Sequence, residues 1–331
     1  MSSPKPLEDK VLDILLSNAG SYVSGAEIAS ALGVSRMAVS KAVNNLKKKG
    51  HVIRSHPRLG YCYIDTDDLL YLEEYLRDLS TRLRYRVVYF EEATSTQDIA
   101  RSLANAGVEE GTIVIAEKQS CGRGRLGRDW ISPPGGLWFT IILRPPIPPS
   151  KITLLSLLTG CAVALGIMDI TGLNPRLKWP NDVLLDEKKT AGILVEAVTE
   201  TDLIKYAFVG IGVNVNNEIP REIADIATSV SQELGRRVSR VALMRAILKR
   251  LEELYTKLVY GYVDHIIKVW KSLSSTLGKR VVVYLSEKDK VEGLAIDVDS
   301  EGLLIVKTDE GKLVKIYFGD IIHLRHKTYS G

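Results

Sequence analysis

Cys121-Gly-Arg-Gly-Arg-Leu-Gly-Arg-Asp-Trp130 interleaves three glycines with three arginines, between an apolar run at 112–116 and a tryptophan. Glycine lets a backbone bend sharply and approach a ligand with no side chain in the way. Arginine presents a planar fork that meets phosphate or carboxylate oxygens two at a time. With Leu126 as its single apolar anchor, the stretch is poorly able to order itself, which predicts a mobile loop that closes over an anionic ligand. A basic surface loop or a nucleic-acid contact would use the same residue types. RNA-binding Arg-Gly runs, however, are long and repetitive, and this one is short and lies between strands. No G-x-x-x-x-G-K-[ST] occurs in the chain, so any nucleotide is held without a Walker loop.

Outward from that loop the pattern is strands alternating with helices. Residues 87–90 read as a strand, and Thr94-Ser-Thr-Gln97 falls where a helix begins. Hydroxyls and free N–H groups there suit a small polar ligand, although ordinary helix capping accounts for the same residues and is the favoured reading. Downstream, 137–143 reads as a buried strand, 151–171 as a helix, and 183–185 and 189–196 as adjoining strands. Lys178 and Lys189 stand on or beside these strands; a lysine in an apolar strand needs a partner for its charge, and an anionic ligand supplies one. Residues 208–216 form a further strand whose glycines leave room for a ligand or another backbone. Helices follow at 239–260 and 263–273.

The flanks read as separate domains. At the N-terminus, Val11, Leu12, Leu15 and Leu16 recur at helical spacing and Ser24-x-x-Glu27 is a capping box. A turn at Gly33-Val34 leads to a third helix capped by Ser35 that ends at Gly50, and 51–64 suits a hairpin: a winged helix-turn-helix. Arg36, Met37, Ser40, Lys41, Asn44 and Asn45 occupy the exposed side of that helix, followed by Lys47, Lys48 and Lys49, with Arg58 in the wing; such groups suit base edges and phosphates. A small helical domain for protein contacts is the alternative. Residues 65–86 read as a helical connector with Leu69, Leu72, Leu76 and Leu79 along one side. At the other end, four short strands at 280–285, 291–298, 303–308 and 312–317 suggest a small β-barrel.

Composition sets the class. The 331 residues allow two or three domains, and 45% apolar with 25% charged residues is ordinary for a soluble protein. A net charge of +4 decides nothing by itself. Cys62, Cys121 and Cys161 show neither disulfide nor zinc spacing. The N-terminus lacks a signal peptide, and the longest apolar run, near 152–170, is broken by polar residues and glycines, so it reads as a buried helix. The expectation is a cytoplasmic protein with no membrane partner. The few histidines lie mainly in the wing and the C-terminal strands, and none is assigned to catalysis.

Taken together, Gly122-Arg-Gly-Arg-x-Gly-Arg128 with Trp130, Lys178-Trp-Pro-Asn-Asp182, Lys189-x-Ala-Gly-Ile-Leu-Val-Glu196 and Gly210-Ile-Gly-Val-Asn214 resemble the biotin–protein ligases. With both flanks, the chain resembles the bifunctional ligases that double as biotin operon repressors, over essentially its whole length. The resemblance implies an α+β multidomain fold: a winged helix-turn-helix (1–65), a helical connector (66–85), a mixed-sheet, class II synthetase-like catalytic domain (86–275) and an SH3-like barrel (276–331). It implies synthesis of biotinyl-5′-AMP from biotin and ATP with Mg²⁺, then transfer to a lysine of biotin carboxyl carrier protein. Operator DNA would be bound by a homodimer, with biotinyl-5′-AMP as corepressor.

By the same resemblance, Ser95, Thr96, Gln97, Gln119 and Trp138 would surround biotin, with Gly192 and Gly212 leaving space for its rings. Arg123, Gly124 and Arg125 would wrap the acyl phosphate beside Lys189. Arg128, Trp130, Lys178, Asn181 and Asn214 would meet the nucleotide, Asn214 also lying near any Mg²⁺. Arg125, Lys178, Lys189 and Asp182 form the expected catalytic set. Thr190 departs from the family, which commonly has an apolar residue there. Packing in a core or lid remains an alternative for Trp130, Trp138 and Trp179.

Overall fold

The computed structural model describes residues 5–49, 51–64, 69–77, 79–285, 289–317 and 319–323. Gly50, residues 65–68 and residues 324–331, which hold parts of the expected turn, connector and C-terminal domain, lie outside them.

The N-terminal unit follows from its caps. Helix α1 (Leu7–Ser17) is joined through β1 (Tyr22–Val23) to α2 (Gly25–Leu32). There the Ser24 hydroxyl accepts from Glu27 N at 3.1 Å and the Glu27 carboxylate accepts from Ser24 N at 2.9 Å, which satisfies two helix-end donors at once. Helix α3 (Arg36–Lys49) starts at Ser35, whose hydroxyl accepts from Ala38 N at 3.1 Å. Strands β2 (Ile53–His56) and β3 (Gly60–Tyr63) close a wing in the order β1-β3-β2. Val11, Leu15, Ile28, Val39, Val43 and Leu46 form a core of its own.

The expected connector is not a free linker. Among its described residues α4 (Leu72–Leu76) is the α-helical stretch, and Leu69, Leu72, Leu76, Leu83 and Tyr85 are buried in the core of the central domain. The chain turns because backbone N–H groups of Arg82 and Leu83 find the Glu252 carboxylate, at 2.7 and 3.3 Å. Leucine spacing reported the buried side correctly, but this side-chain acceptor for the backbone lies 170 residues away.

The central domain is a seven-stranded sheet flanked by helices. Its elements are β4 (Arg86–Ala93), α5 (Thr96–Asn105), β5 (Thr112–Gln119), β6 (Leu137–Leu143), α6 (Thr153–Thr171), β7 (Arg176–Lys178), β8 (Asp182–Leu185), β9 (Lys188–Glu200), β10 (Leu203–Val213), α7 (Val230–Leu234), α8 (Arg240–Val259) and α9 (Val263–Leu273). The strand order is β4-β5-β6-β10-β9-β8-β7, with β4 and β5 parallel and the other neighbours antiparallel. Alternation along each strand sends Ile115, Phe139, Ile141, Ile193, Val209 and Ile211 into the core beneath α6 and α8. Val114, Ile142 and Phe208 turn to the opposite face, covered by α5. Residues 149–171 are long and apolar enough to cross a membrane, but their helix is mostly buried within the fold.

Toward the C-terminus, β11 (Arg280–Tyr284), β12 (Lys290–Val298), β13 (Leu304–Lys307), β14 (Leu313–Ile316) and β15 (Asp320–His323) pair antiparallel in the order β14-β13-β12-β11-β15. The fifth strand, four residues long, lies past the four runs read from the sequence. Buried Trp179 ties this sheet to the central domain, its Nε1 donating to the Gly302 carbonyl at 3.0 Å.

Candidate active site and nucleic-acid surface

On the α5 face, where a strand's side chains would otherwise fill the space, glycines leave the sheet bare. Gly192 and Gly212 are directly paired across β9 and β10. A Cβ on Gly212 would come 2.4 Å from the Trp130 indole nitrogen, and one on Gly192 would come 3.0 Å from the same ring. The result is a cavity of about 300 Å³ floored by these glycines.

The expected loop takes the form of an irregular hairpin. Trp130 N donates to Gly122 O at 2.8 Å and Gly124 N to Arg128 O at 2.7 Å, while the exposed Leu126 takes a left-handed φ of 56°. A Cβ at Gly122 would meet Trp130 O at 2.3 Å, so the two arms close only with glycine there. Arg123, Gly124, Arg125, Arg128 and Trp130 all line the cavity. The Arg123 guanidinium donates to Asp98 Oδ1 at 2.6 Å, and Glu196 Oε2 lies 3.6 Å away. Arg125 bonds Asn181 Oδ1 at 3.1 Å and the carbonyl of Gly319, which precedes β15, at 3.3 Å.

Opposite the loop, Lys189 Nζ lies 2.6 Å from Asp182 Oδ1 and 5.1 Å from the centre of the Trp130 ring. Four cationic and three anionic side chains line the cavity. Trp130 Nε1 is buried with no hydrogen-bond partner among the described residues, which costs about 1–3 kcal/mol unless an acceptor arrives.

A polar chain forms the inner wall. Gln119 Oε1 accepts from Thr96 N at 2.9 Å and from the Thr96 hydroxyl at 3.1 Å. That hydroxyl also lies 2.9 Å from Thr140 Oγ1, which donates to Gln97 Oε1 at 3.0 Å. Gln97 Nε2 ends the chain on the Phe208 carbonyl at 3.1 Å. Ser95 stands at the cap position of α5, yet its hydroxyl makes no capping bond. It is buried and faces the cavity, so the favoured capping reading of this stretch fails for Ser95.

Two of the expected site residues stand apart from the cavity. Lys178 is opposite Asp182 in the β7–β8 ladder, on the same face but outside the lining. Trp138 is fully buried, donates from Nε1 to Pro133 O at 2.8 Å and touches the cavity only through an edge-on contact with Trp130, 6.4 Å between ring centres. Trp179, like Trp138, is a core residue. The others, Asn181, Asp182, Lys189 and Asn214 among them, line the cavity together.

Several lining residues went unread. Thr140 is a lone hydroxyl in the fully buried strand β6, a signal the sequence carried. Ile219, Pro220, Ile223, Ile226 and Ala227 form an apolar wall after Asn214, and their i, i+4, i+7 spacing is visible in the sequence. Asp98 and Glu196 looked like ordinary surface carboxylates.

On the winged unit, Arg36, Met37, Lys41 and Asn44 are exposed along α3 and Arg58 is exposed on the wing turn, with Ser40 half-buried beside them. Lys47 instead bridges to the wing, its Nζ donating to Ser55 Oγ at 2.9 Å. The His56 ring nitrogen accepts from the backbone N–H groups of Arg58 and Leu59 at 3.2 and 3.1 Å, which fixes the turn. Lys249 of α8 donates to the Lys48 carbonyl at 2.5 Å, joining the end of α3 to the central domain.

Comparison with known proteins gives the same three parts. Family models match at residues 8–62 (HTH domain), 89–214 (Biotin/lipoate A/B protein ligase family) and 276–324 (Biotin protein ligase C terminal domain). The bifunctional ligase/repressor of Bacillus subtilis is 39% identical over 313 residues, covering 93% of this chain and 96% of that protein. Its Escherichia coli namesake is 27% identical, covering 94% and 95%. Among solved structures, the biotin protein ligase of Aquifex aeolicus in complex with biotin and ATP superposes with a TM-score of 0.63 at 32% identity, over 72% of this chain and 99% of that one. With 93% of its length aligned to a 39% identical relative, this chain belongs to the biotin protein ligase family.

Proposed function

We propose that the chain is an ATP-dependent biotin–protein ligase that also represses transcription. The observation that carries the enzyme is the convergence of Arg123, Arg125, Arg128 and Lys189 on one cavity floored by Gly192 and Gly212. In the first step a biotin carboxylate oxygen bonds to the α-phosphorus of ATP and the bond to pyrophosphate breaks, giving biotinyl-5′-AMP. In the second, a lysine amine of the carrier protein bonds to the acyl carbon, the acyl–phosphate bond breaks, and AMP leaves with the electron pair.

Displacement at phosphorus asks the protein for positioning and charge more than for covalent help. Arg123 and Arg125 supply forks for the acyl phosphate, and Lys189 a point charge. Asn181, bonded to Arg125, orients that fork. Ser95, Thr96, Gln97 and Gln119 match the polar end of biotin, while the glycine floor and the Trp130 indole enclose its rings. Trp130 and the apolar Ile219–Ala227 wall suit adenine. Asp182 holds Lys189, 2.6 Å away, and would help receive the incoming lysine. Lys178 acts from the rim, and Trp138 by backing Trp130.

Mg²⁺ would enter with ATP on its phosphate oxygens, and Asn214, which lines the cavity, would be a protein group near it. Bound there it would neutralise phosphate charge. The free thiols of Cys62, Cys121 and Cys161 fit a cytoplasmic setting.

The repressor reading rests on the exposed basic face of α3. One helix-turn-helix makes few contacts, so a two-fold homodimer on a palindromic operator is the fitting assembly, with biotinyl-5′-AMP as corepressor coupling site occupancy to DNA. Pyrophosphate release with biotin, ATP and Mg²⁺, biotin transfer to a carrier domain, and ligand-dependent sizing test these parts. Release with lipoate but not biotin would overturn the substrate, and no release at all would overturn the enzyme.

A further inference from the structure

Met37 is 83% exposed, more than any other large apolar side chain described. It sits in the first turn of α3, which Ser35 starts and fixes through its bond to Ala38 N at 3.1 Å. The other side chains of that exposed face, Arg36, Lys41, Asn44 and Lys48, are polar. Helix α3 contains no acidic residue, and its first turn carries none to balance the helix dipole. A face of that charge suits a polyanion, and its first turn is the part of a recognition helix that meets base edges. Cationic and amide groups there satisfy phosphates, N7, O6 or O4. Met37 can satisfy none of them.

In the major groove one base-edge group is apolar: the 5-methyl of thymine. A long, unbranched thioether adapts its shape to such a target. We infer that Met37 determines operator specificity by packing on a thymine methyl in each half-site. This deepens the repressor reading and rests on it.

The test uses the full chain with biotin, ATP and Mg²⁺, and a duplex selected by that protein from a random-sequence library. Each thymine of the selected duplex is then replaced by uracil, which removes the methyl and keeps every hydrogen-bonding group. Burial of one methyl-sized group converts to about fourfold in affinity. At one position per half-site, uracil is expected to weaken binding by about that factor. Met37→Ala is expected to bind both duplexes equally, and Met37→Leu to restore part of the preference; thermal unfolding of each variant scores folding separately. Wild-type indifference to uracil at every position, or undiminished discrimination by Met37→Ala, would overturn the inference. So would a change of assembly state in Met37→Ala with discrimination intact, since that marks a protein contact. Failure to enrich any sequence would instead remove the DNA reading beneath it.

Discussion

Trp130 lies on Gly212 so closely that a Cβ there would stand 2.4 Å from the indole nitrogen. The contact makes a bare sheet position and a loop residue, 82 apart in sequence, parts of one wall. Gly212→Ala should displace the indole, since overpacking at a tight contact costs about 1–3 kcal/mol. The expected outcome is a KM for biotin raised about tenfold with little change in the fold, read by pyrophosphate release and by tryptophan fluorescence. An unchanged KM would mean the indole swings away during binding at no cost.

Arg123 and Arg125 of the loop are engaged by the protein itself. Arg123 is held by Asp98 at 2.6 Å, with Glu196, which also accepts from Arg101 at 3.2 Å, nearby. A phosphate must compete with these carboxylates for the same guanidinium. Asp98→Asn should therefore tighten ATP or adenylate binding. The pair is half exposed, so the gain is at most about fivefold, as an exposed ion pair is worth about 0.2–1 kcal/mol. Calorimetric titration at rising salt checks it, because screening should erase the difference. Weaker binding in the variant would show that Asp98 holds Arg123 in its ligand-bound position.

Thr140 is fully buried and joins Thr96 to Gln97. Thr140→Val keeps the shape but strips both neighbours of a partner, at a cost of about 1–3 kcal/mol. For a domain of this size that lowers the melting temperature by about 2–4 °C per kcal/mol. Biotin affinity should fall with it, because the chain positions Gln97 and Gln119. Calorimetric unfolding and biotin titration on one preparation would separate the two effects.

These residues also show what the sequence could carry. The apolar run at 137–143 was legible as a buried strand, which it is, and the Ser24-x-x-Glu27 spacing named a capping box that is present. Such signals are local, fixed within one turn or one strand. The arginine loop and Lys189, which line one cavity together, were legible as candidate residues for an anion site. Asp98 and Glu196 were not, since a carboxylate's role depends on which distant cation it meets. Lys178 shares a motif with Asn181 and Asp182 but stands beyond the lining, because a neighbour in sequence can face elsewhere, and Trp138 is buried in the core. The leucines at 69, 72 and 76 predicted burial but not what buried them, which is a contact between segments far apart in the chain.

The Lys189–Asp182 pair bears most directly on chemistry. Lys189→Ala removes a cation from the cavity and leaves Asp182 without the ammonium at 2.6 Å. Loss of one such group at a developing anion costs about two to three orders of magnitude in rate, so adenylate formation should fall by that much in single-turnover assays. Lys189→Arg should not restore it, because a fork cannot replace a compact charge in the space beside Trp130. Asp182→Asn separates two roles. If Asp182 serves only to orient Lys189, its loss slows adenylate formation modestly, and the double variant is no worse than Lys189→Ala alone. If it also receives the proton of the incoming lysine, transfer from preformed biotinyl-5′-AMP to the carrier slows in Asp182→Asn while the first step is nearly spared. Measuring both steps in Lys189→Ala, Asp182→Asn and the double variant decides between orientation and proton transfer, since only the second makes the carrier step depend on Asp182 when Lys189 is already absent.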